Sequence, residues 1–202
     1  DGVKFYSKDG KETGCTALMK ESGFNAIRLR VWVDPEGGWC GKEDVLVKAK
    51  RASDLGMRLM IDFHYSDTWA DPSNQKTPAA WIGLNLYELA SEVENHTKEV
   101  LQLLKDNSIA VEWVQVGNET NSGMLHPAGK IGSSAEDFAV LANKGYEAVK
   151  SIYPEAKVII HRSEGQKANE CKWLFNLLKN SKVKYDIIGL SLYPVWWENN
   201  GW

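Results

Sequence analysis

Five short apolar runs, rich in β-branched residues, alternate along the chain with longer amphipathic segments. Each run is bounded by turn-forming residues, as is typical of buried strands. The predicted strands are NAIRLRVWV (25–33), MRLMIDFHY (57–65), WVQVGNE (113–119), VIIH (158–161) and YDIIGLSLYP (185–194).

The segments between the strands carry apolar residues at helical spacing. They predict helices over 11–22, 43–55, about 84–105, 135–152 and about 169–180. Gly23 and Gly56 end the first two helices as C-terminal caps. Ser133-x-x-Glu136 predicts a capping box at the start of the fourth helix.

Strict alternation of strands and helices, with strands that are apolar on both faces, predicts a parallel α/β sheet covered by helices. The choice lies between an open doubly wound sheet and a (β/α)8 TIM barrel. No G-x-G-x-x-G or Walker A loop follows any strand, which argues against the nucleotide-binding open sheets.

Polar and aromatic residues instead cluster at the carboxyl ends of several strands, where (β/α)8 enzymes carry their catalytic groups. We therefore predict a TIM barrel, with residues 1–202 belonging to a single catalytic domain. A full barrel needs about 250 residues. Because only five strands are visible, the barrel is expected to be incomplete within this sequence.

The net charge of −3 and the isoelectric point near 5.9 offer no basic surface for nucleic acid or an anionic membrane. No apolar run approaches the roughly 18 to 20 residues that a membrane span requires. The three cysteines lack metal-ligand spacing, and a Cys15–Cys40 disulfide is one way to pair two of them.

Nine tryptophans and seven tyrosines are an excess that bears on function. Any one of them can simply be a core residue. Five lie among polar residues, however, which favours a groove that stacks flat ligands such as sugar rings. These are Trp32, Trp69, Trp81, Trp196 and Trp197.

The segment DFHYSDTWADP (62–72) places Asp62 and His64 on one face of a strand. A metal site is one interpretation, because carboxylate and imidazole both ligate metals. The other is a hydrogen-bonded barrel interior in which Asp62 pairs with Arg28 or Arg30.

Glu119 follows Asn118 at the end of a strand that is otherwise buried. It is either a surface carboxylate or a functional group. A carboxyl group at the mouth of an apolar barrel can stay protonated near neutrality and give its proton to a leaving oxygen.

Four motifs resemble those of the family 53 glycoside hydrolases, the endo-β-1,4-galactanases. They are VWVDP (31–35), DFHYSDTWADP (62–72), VQVGNE (114–119) and DIIGLSLYP (186–194). The resemblance extends over almost the whole chain, in the same order and spacing. It implies that the visible strands are barrel strands two to six.

Carried over to this chain, the resemblance makes Glu119 the general acid/base and lets Asn118 hold the sugar 2-hydroxyl. Arg30, His64 and Tyr193 would line the sugar subsite beside the cleaved bond. Three residues on the following loop, Asp67, Trp69 and Trp81, would contribute to the groove wall.

The resemblance also implies that strand one and strands seven and eight lie outside the sequence. The nucleophile, expected after strand seven, would then lie outside it as well, since neither Glu164 nor Glu198 matches its motif. One departure is HRSEG (161–165), where family members more often carry a His-x-Asp sequence.

The function implied is an endo-acting retaining hydrolase of β-1,4-galactan in pectin side chains, working by double displacement. It would need no cofactor for catalysis, and a structural calcium would belong to the later loops. A secreted, periplasmic or cell-surface monomer is expected, because polymeric pectin does not enter cells. The alternatives are a related barrel acting on another β-linked polysaccharide, or a non-catalytic carbohydrate-binding protein without the nucleophile.

Overall fold

The computed structural model describes residues 2–193. Trp196, Trp197 and Glu198 lie outside the described residues, as does the last residue of the predicted strand 185–194.

The described chain contains seven strands. They are β1 (Ala26–Val31), β2 (Arg58–Phe63), β3 (Trp113–Val116), β4 (Gly123–Met124), β5 (Gly129–Lys130), β6 (Lys157–Arg162) and β7 (Ile187–Leu190). Five of them form a parallel sheet in the order β1-β2-β3-β6-β7, and β4 and β5 form a small antiparallel hairpin. The five strands of the sheet are the five that the hydrophobic pattern predicts.

Five α-helices connect and cover the strands. They are α1 (Cys15–Glu21), α2 (Lys42–Asp54), α3 (Leu86–Asp106), α4 (Glu136–Ile152) and α5 (Ala168–Asn180). The predicted capping box at Ser133 is wrong, because α4 begins at Glu136 with Ala135 as its N-cap. Ala135 has no side-chain oxygen, and its backbone N–H donates to Ser181 Oγ (3.3 Å). A capping box forms instead at α3, between Asn85 and Glu88.

The outer face of the sheet is apolar and buried under the helices. Helix α2 packs on β1 and β2, and α4 packs on β3 and α3. The approach of α4 is close: a Cβ atom on Gly145 would lie 2.7 Å from Val116 Cγ1. Residues that alternate with this face point the other way, toward the inner side of the sheet.

The inner face combines polar and apolar residues in one layer. The strand register places Arg30, Asp62, Gln115, Ile159 and Ile187 side by side across the five strands. The layer is therefore polar on β1, β2 and β3, and apolar on β6 and β7. The sheet curves around this face, since residues that follow β3 and β7 line one cavity with side chains of β1.

The possible Cys15–Cys40 disulfide is not formed, because all three cysteines are free thiols. Cys15 is exposed at the start of α1, whereas Cys40 is buried and its sulfur accepts a hydrogen bond from Arg30 (3.3 Å). No helix within residues 2–193 has the length and apolar character needed to cross a membrane.

Candidate active site

A cavity of about 420 Å³ opens at the carboxyl ends of the strands. Six of the eight residues predicted for the site line it: Arg30, His64, Trp69, Asn118, Glu119 and Tyr193. The structure thus brings together side chains from four different strand ends, as the carboxyl end of a curved parallel sheet should.

The other two predicted residues lie elsewhere. Trp81 is 5% exposed and belongs to the hydrophobic core, where its ring packs edge-on against His96. Asp67 braces the loops, because its carboxylate accepts hydrogen bonds from the backbone N–H groups of Asp34 (3.0 Å) and Ala79 (2.8 Å). Neither residue lines the cavity.

Asp62 is fully buried at the base of the cavity and is held by three neighbours. Arg28 forms an ion pair with its Oδ2 atom (2.7 Å), and His64 Nε2 lies 3.1 Å from the same oxygen. The Gln115 amide donates to Oδ1. A buried carboxylate needs this pairing because water no longer solvates its charge. Of the two interpretations of Asp62, the paired interior residue is the one observed, with Arg28 as the partner.

His64 has both ring nitrogens engaged within the protein. The backbone N–H of Ala70 donates to Nδ1 (3.0 Å), so the ring proton resides on Nε2 and points to Asp62. The imidazole therefore has no free lone pair for a metal ion. Within residues 2–193, no group of three or more His, Cys, Asp or Glu side chains is arranged to hold one.

Asn118 is fixed by its neighbours in one orientation. Its Oδ1 atom accepts hydrogen bonds from Arg28 (2.8 Å) and Gln115 (3.1 Å), and its Nδ2 donates to the carbonyl of Ala70 (2.7 Å). An amide nitrogen carries two protons. One N–H of Asn118 thus remains for a ligand in the cavity, as far as the described residues show.

Glu119 differs from its neighbours because its carboxylate is not held. It is partly exposed on the cavity wall, and within residues 2–193 its carboxylate makes no hydrogen bond or ion pair. Its backbone is left-handed (φ 48°) and follows Gly117, which is also left-handed (φ 83°). This turn, immediately after β3, directs the side chain into the cavity.

His161 supports the turn from the end of β6. The Glu119 backbone N–H donates to its Nδ1 atom (3.2 Å), and Ser191 Oγ lies 2.9 Å from its Nε2 atom. Burial, and secondly the positive charge of Arg28, lower the pKa of His161 to about 4. The ring is therefore neutral at neutral pH, and in the tautomer with its proton on Nε2 the Nδ1 atom accepts the Glu119 N–H. The same Nδ1 atom also lies 3.0 Å from Asn118 Oδ1.

An aromatic wall flanks the polar base of the cavity. The Arg30 guanidinium lies 3.6 Å from the ring centre of Trp69 and 4.7 Å from that of Trp32. Trp69 and Tyr193 are each 55% exposed. Half-exposed aromatic rings beside hydrogen-bonding groups suit a sugar, which presents both C–H faces and hydroxyl groups.

The sequence prediction missed several residues of this site. Arg28, Asp71, His161 and Ser191 line the cavity, and Gln115 joins Asp62 to Asn118 behind it. Arg28 is predicted only as a partner of Asp62, although strand alternation places it two positions before Arg30 and hence on the same face. Gln115 is placed there by the strand register, which sets it beside Asp62.

Known proteins match almost the whole of this chain. The family model described as Glycosyl hydrolase family 53 matches residues 1–201. An uncharacterized protein of the bgaB 5′ region of Niallia circulans is 40% identical, over 97% of this chain and 55% of its own length. Arabinogalactan endo-β-1,4-galactanase A of Emericella nidulans is 34% identical, over 96% of this chain and 57% of its own length.

Among solved structures, the Ignisphaera aggregans GH53 catalytic domain superposes with a TM-score of 0.90 at 38% identity. The superposition covers 96% of this chain and 56% of that one. The predicted TIM-barrel class is thereby confirmed: the described residues form part of an α/β barrel. The chain spans about half the length of the curated relatives it matches.

Proposed function

The chain belongs to glycosyl hydrolase family 53, and we propose that the protein is an endo-acting retaining hydrolase of β-1,4-galactan. Support comes from the relative in Emericella nidulans, which is named an arabinogalactan endo-β-1,4-galactanase. The cavity supports the proposal independently, because it combines an unpaired carboxyl group, hydrogen-bonding amides and exposed aromatic rings.

In the proposed reaction, protonated Glu119 gives its proton to the glycosidic oxygen as the C1–O bond breaks. A second carboxylate attacks C1 and forms a covalent galactosyl-enzyme. Glu119, now ionised, then removes a proton from water as the water displaces that carboxylate. In retaining enzymes the two carboxyl groups lie about 5 to 5.5 Å apart.

The nucleophile is expected after barrel strand seven, whose motif is not found in residues 1–202. Asp62 is unsuited to that role, since Arg28, His64 and Gln115 already surround its carboxylate.

The remaining residues of the cavity bind and orient the sugar in this proposal. The free N–H of Asn118 holds the 2-hydroxyl, where a hydrogen bond strengthens as charge develops at C1. Arg30, His64 and Tyr193 line the same subsite, and Trp69 offers its exposed ring to a sugar face.

The wider setting follows from the substrate. A polysaccharide of pectin stays outside the cell, so we propose a secreted, periplasmic or cell-surface enzyme. The double displacement uses no cofactor, and a structural calcium is expected only in the later loops. We propose a monomer whose partner is its polysaccharide substrate.

One observation carries the assignment of the acid/base. The cavity wall has three carboxyl groups within residues 2–193, and two of them accept hydrogen bonds from the protein. Asp62 is ion-paired with Arg28, and Asp71 accepts hydrogen bonds from the backbone and hydroxyl of Ser73 (2.8 and 2.7 Å). Glu119 alone is left to exchange a proton with a ligand.

The test compares Glu119→Gln with Glu112→Gln in the full-length protein. Glu112 is exposed just before β3, at the opposite end of the strand, and pairs with Arg58 (3.3 Å). We expect kcat/KM on galactan to fall by at least about 10²-fold in Glu119→Gln and to be unchanged in the control.

Glu119→Ala should retain much of its first-step rate on a dinitrophenyl galactoside, whose leaving group needs no proton. Added azide should then accelerate turnover and give the β-galactosyl azide, because azide attacks the intermediate without a general base. Equal losses on both substrates in folded Glu119 variants, without azide rescue, would remove Glu119 from the acid/base role.

A further inference from the structure

The backbone of Glu119 has an uncommon conformation. A left-handed conformation (φ 48°) is uncommon for a residue with a Cβ atom and persists only where the surroundings enforce it. The direction of the Glu119 carboxyl group is set by this backbone. Whatever holds the turn therefore also aims the proposed proton donor.

His161, at the end of β6, holds one side of the turn that contains Glu119. His161 receives the backbone N–H of Glu119 on its ring and the backbone N–H of Thr120 on its carbonyl (3.2 and 2.8 Å). The Thr120 hydroxyl donates to the same carbonyl (3.0 Å). These contacts hold the N–H groups of the turn, and its carbonyl groups point elsewhere.

The carbonyl side is held by Gln75. Its Nε2 atom donates to the carbonyl of Asn118 (2.9 Å). The carbonyl of Glu119 lies farther from this nitrogen (3.4 Å) and accepts the backbone N–H of Asn121 (2.8 Å). The same nitrogen also donates to the carbonyl of Asp71 (3.0 Å), in the loop that follows Trp69. Gln75 is 3% exposed, and it does not line the cavity.

Gln75 is itself well anchored. Its carbonyl accepts the backbone N–H of His126 (2.8 Å), beside the hairpin of β4 and β5. The Ser122 hydroxyl donates to Pro72 O (3.0 Å), which joins the same two loops. The amide group of Gln75 is therefore a fixed point that holds the Asn118 carbonyl, in the peptide that precedes Glu119.

We propose that Gln75 is a positioning residue for the general acid/base. By holding the carbonyl of Asn118, in the peptide that precedes Glu119, it keeps the left-handed turn and aims the Glu119 carboxyl group at the glycosidic oxygen. It touches no substrate in this role. The inference rests on the proposed function, because it needs Glu119 to be the proton donor.

The test uses Gln75→Met, which keeps the side-chain length and removes both polar ends. The control is Gln102→Met on exposed α3, whose Nε2 atom also donates a hydrogen bond, to Asp106 (2.6 Å). Each full-length protein is assayed for kcat/KM on a galacto-oligosaccharide and on a dinitrophenyl galactobioside. Both values report formation of the covalent intermediate, but only the first reaction needs a proton donor.

Because general acid catalysis contributes about 10²–10⁴-fold, misaiming it in Gln75→Met should lower kcat/KM on the oligosaccharide by about tenfold or more. On the dinitrophenyl substrate the loss should stay below about threefold, since that leaving group departs unprotonated. In a Glu119→Ala background, Gln75→Met should have almost no further effect, because the group that it positions is gone.

A purely structural role would give equal losses on both substrates, or a loss that adds to that of Glu119→Ala. Either result, or an unchanged rate in Gln75→Met, would overturn the proposal. The proposed function fails differently, namely if Glu119→Gln hydrolyses galactan as fast as Glu112→Gln does. Thermal melting of every variant separates a misaimed acid from an unfolded protein.

Discussion

Acidification should destabilise the folded protein through His96, a residue far from the proposed chemistry. Its ring lies on the buried face of α3, with ring centres 5.7 Å from that of Phe63 and 6.1 Å from that of Trp81. Its Nε2 atom is buried without a hydrogen-bond partner among the described residues. Burial in these apolar surroundings lowers the pKa of His96 to about 4, from an ordinary value of 6.5.

Proton linkage gives the direction in which pH changes the free energy of unfolding. The folded state keeps His96 neutral, while the unfolded state binds a proton once the pH falls below 6.5, so the unfolded state gains as the pH falls from 6.5 toward 4. Above pH 6.5 neither state is protonated and the effect vanishes. Between pH 7 and pH 5 these two pKa values correspond to a loss of about 2 kcal/mol in the free energy of unfolding.

The assay is denaturant unfolding of the full-length protein and of His96→Leu at several pH values between 7 and 5. Gln102→Leu controls for adding leucine to α3 at an exposed position. His161 also has a lowered pKa, but it is present in all three proteins and cancels in the comparison. The pH-dependent loss should be about 2 kcal/mol smaller in His96→Leu than in the control. Equal losses in the two variants would refute the reasoning.

Two further substitutions test the site and the packing beneath it. Asn118→Ala should lower kcat on galactan by roughly 10²-fold and raise the substrate Kd far less, because a 2-hydroxyl contact tightens in the transition state; a pure binding defect would contradict that role. Gly145→Ala should lower the melting temperature, with a cost of about 1 to 3 kcal/mol, since its Cβ atom would lie 2.7 Å from Val116 Cγ1. Alanine ordinarily stabilises a helix relative to glycine, so an unchanged or raised melting temperature would show that α4 can move away from β3.

Elements with a strong local pattern could be predicted from the sequence. Each of the five sheet strands lies within its predicted segment or extends it by one residue at each end, because β-branched apolar runs between turn residues admit few other structures. The start of α4 could not be predicted in the same way. Its N-cap, Ala135, has no side-chain cap, and its N–H donates to Ser181, 46 positions away, a contact that no local motif encodes.

Contacts between residues far apart in sequence also explain where the observed site differs from the predicted one. Glu119 and Asn118 could be predicted because they end a strand, and the ends of parallel strands meet at one edge. Trp81 lies between small and apolar neighbours in sequence, and the turn that precedes α3 folds it against His96 in the core. Asp67 is directed to two backbone N–H groups by the meeting of two loops, which only the tertiary structure determines.

Asp62 and Glu119 have different roles in this proposal, and the position of the positive charge of Arg28 accounts for the difference. Arg28 lies between Asp62 and Asn118, so one guanidinium both balances the buried carboxylate and fixes the amide that faces the sugar. Because this charge is already matched by Asp62, the polar base of the cavity is an internally satisfied network. Glu119 stands outside that network, and His161 and Gln75 hold its backbone N–H and the preceding carbonyl, not its carboxylate. A carboxyl group fixed through its backbone, with its side chain unpaired, can be aimed at a ligand and still change its protonation state. A carboxyl group that is held in an ion pair, like that of Asp62, cannot do both.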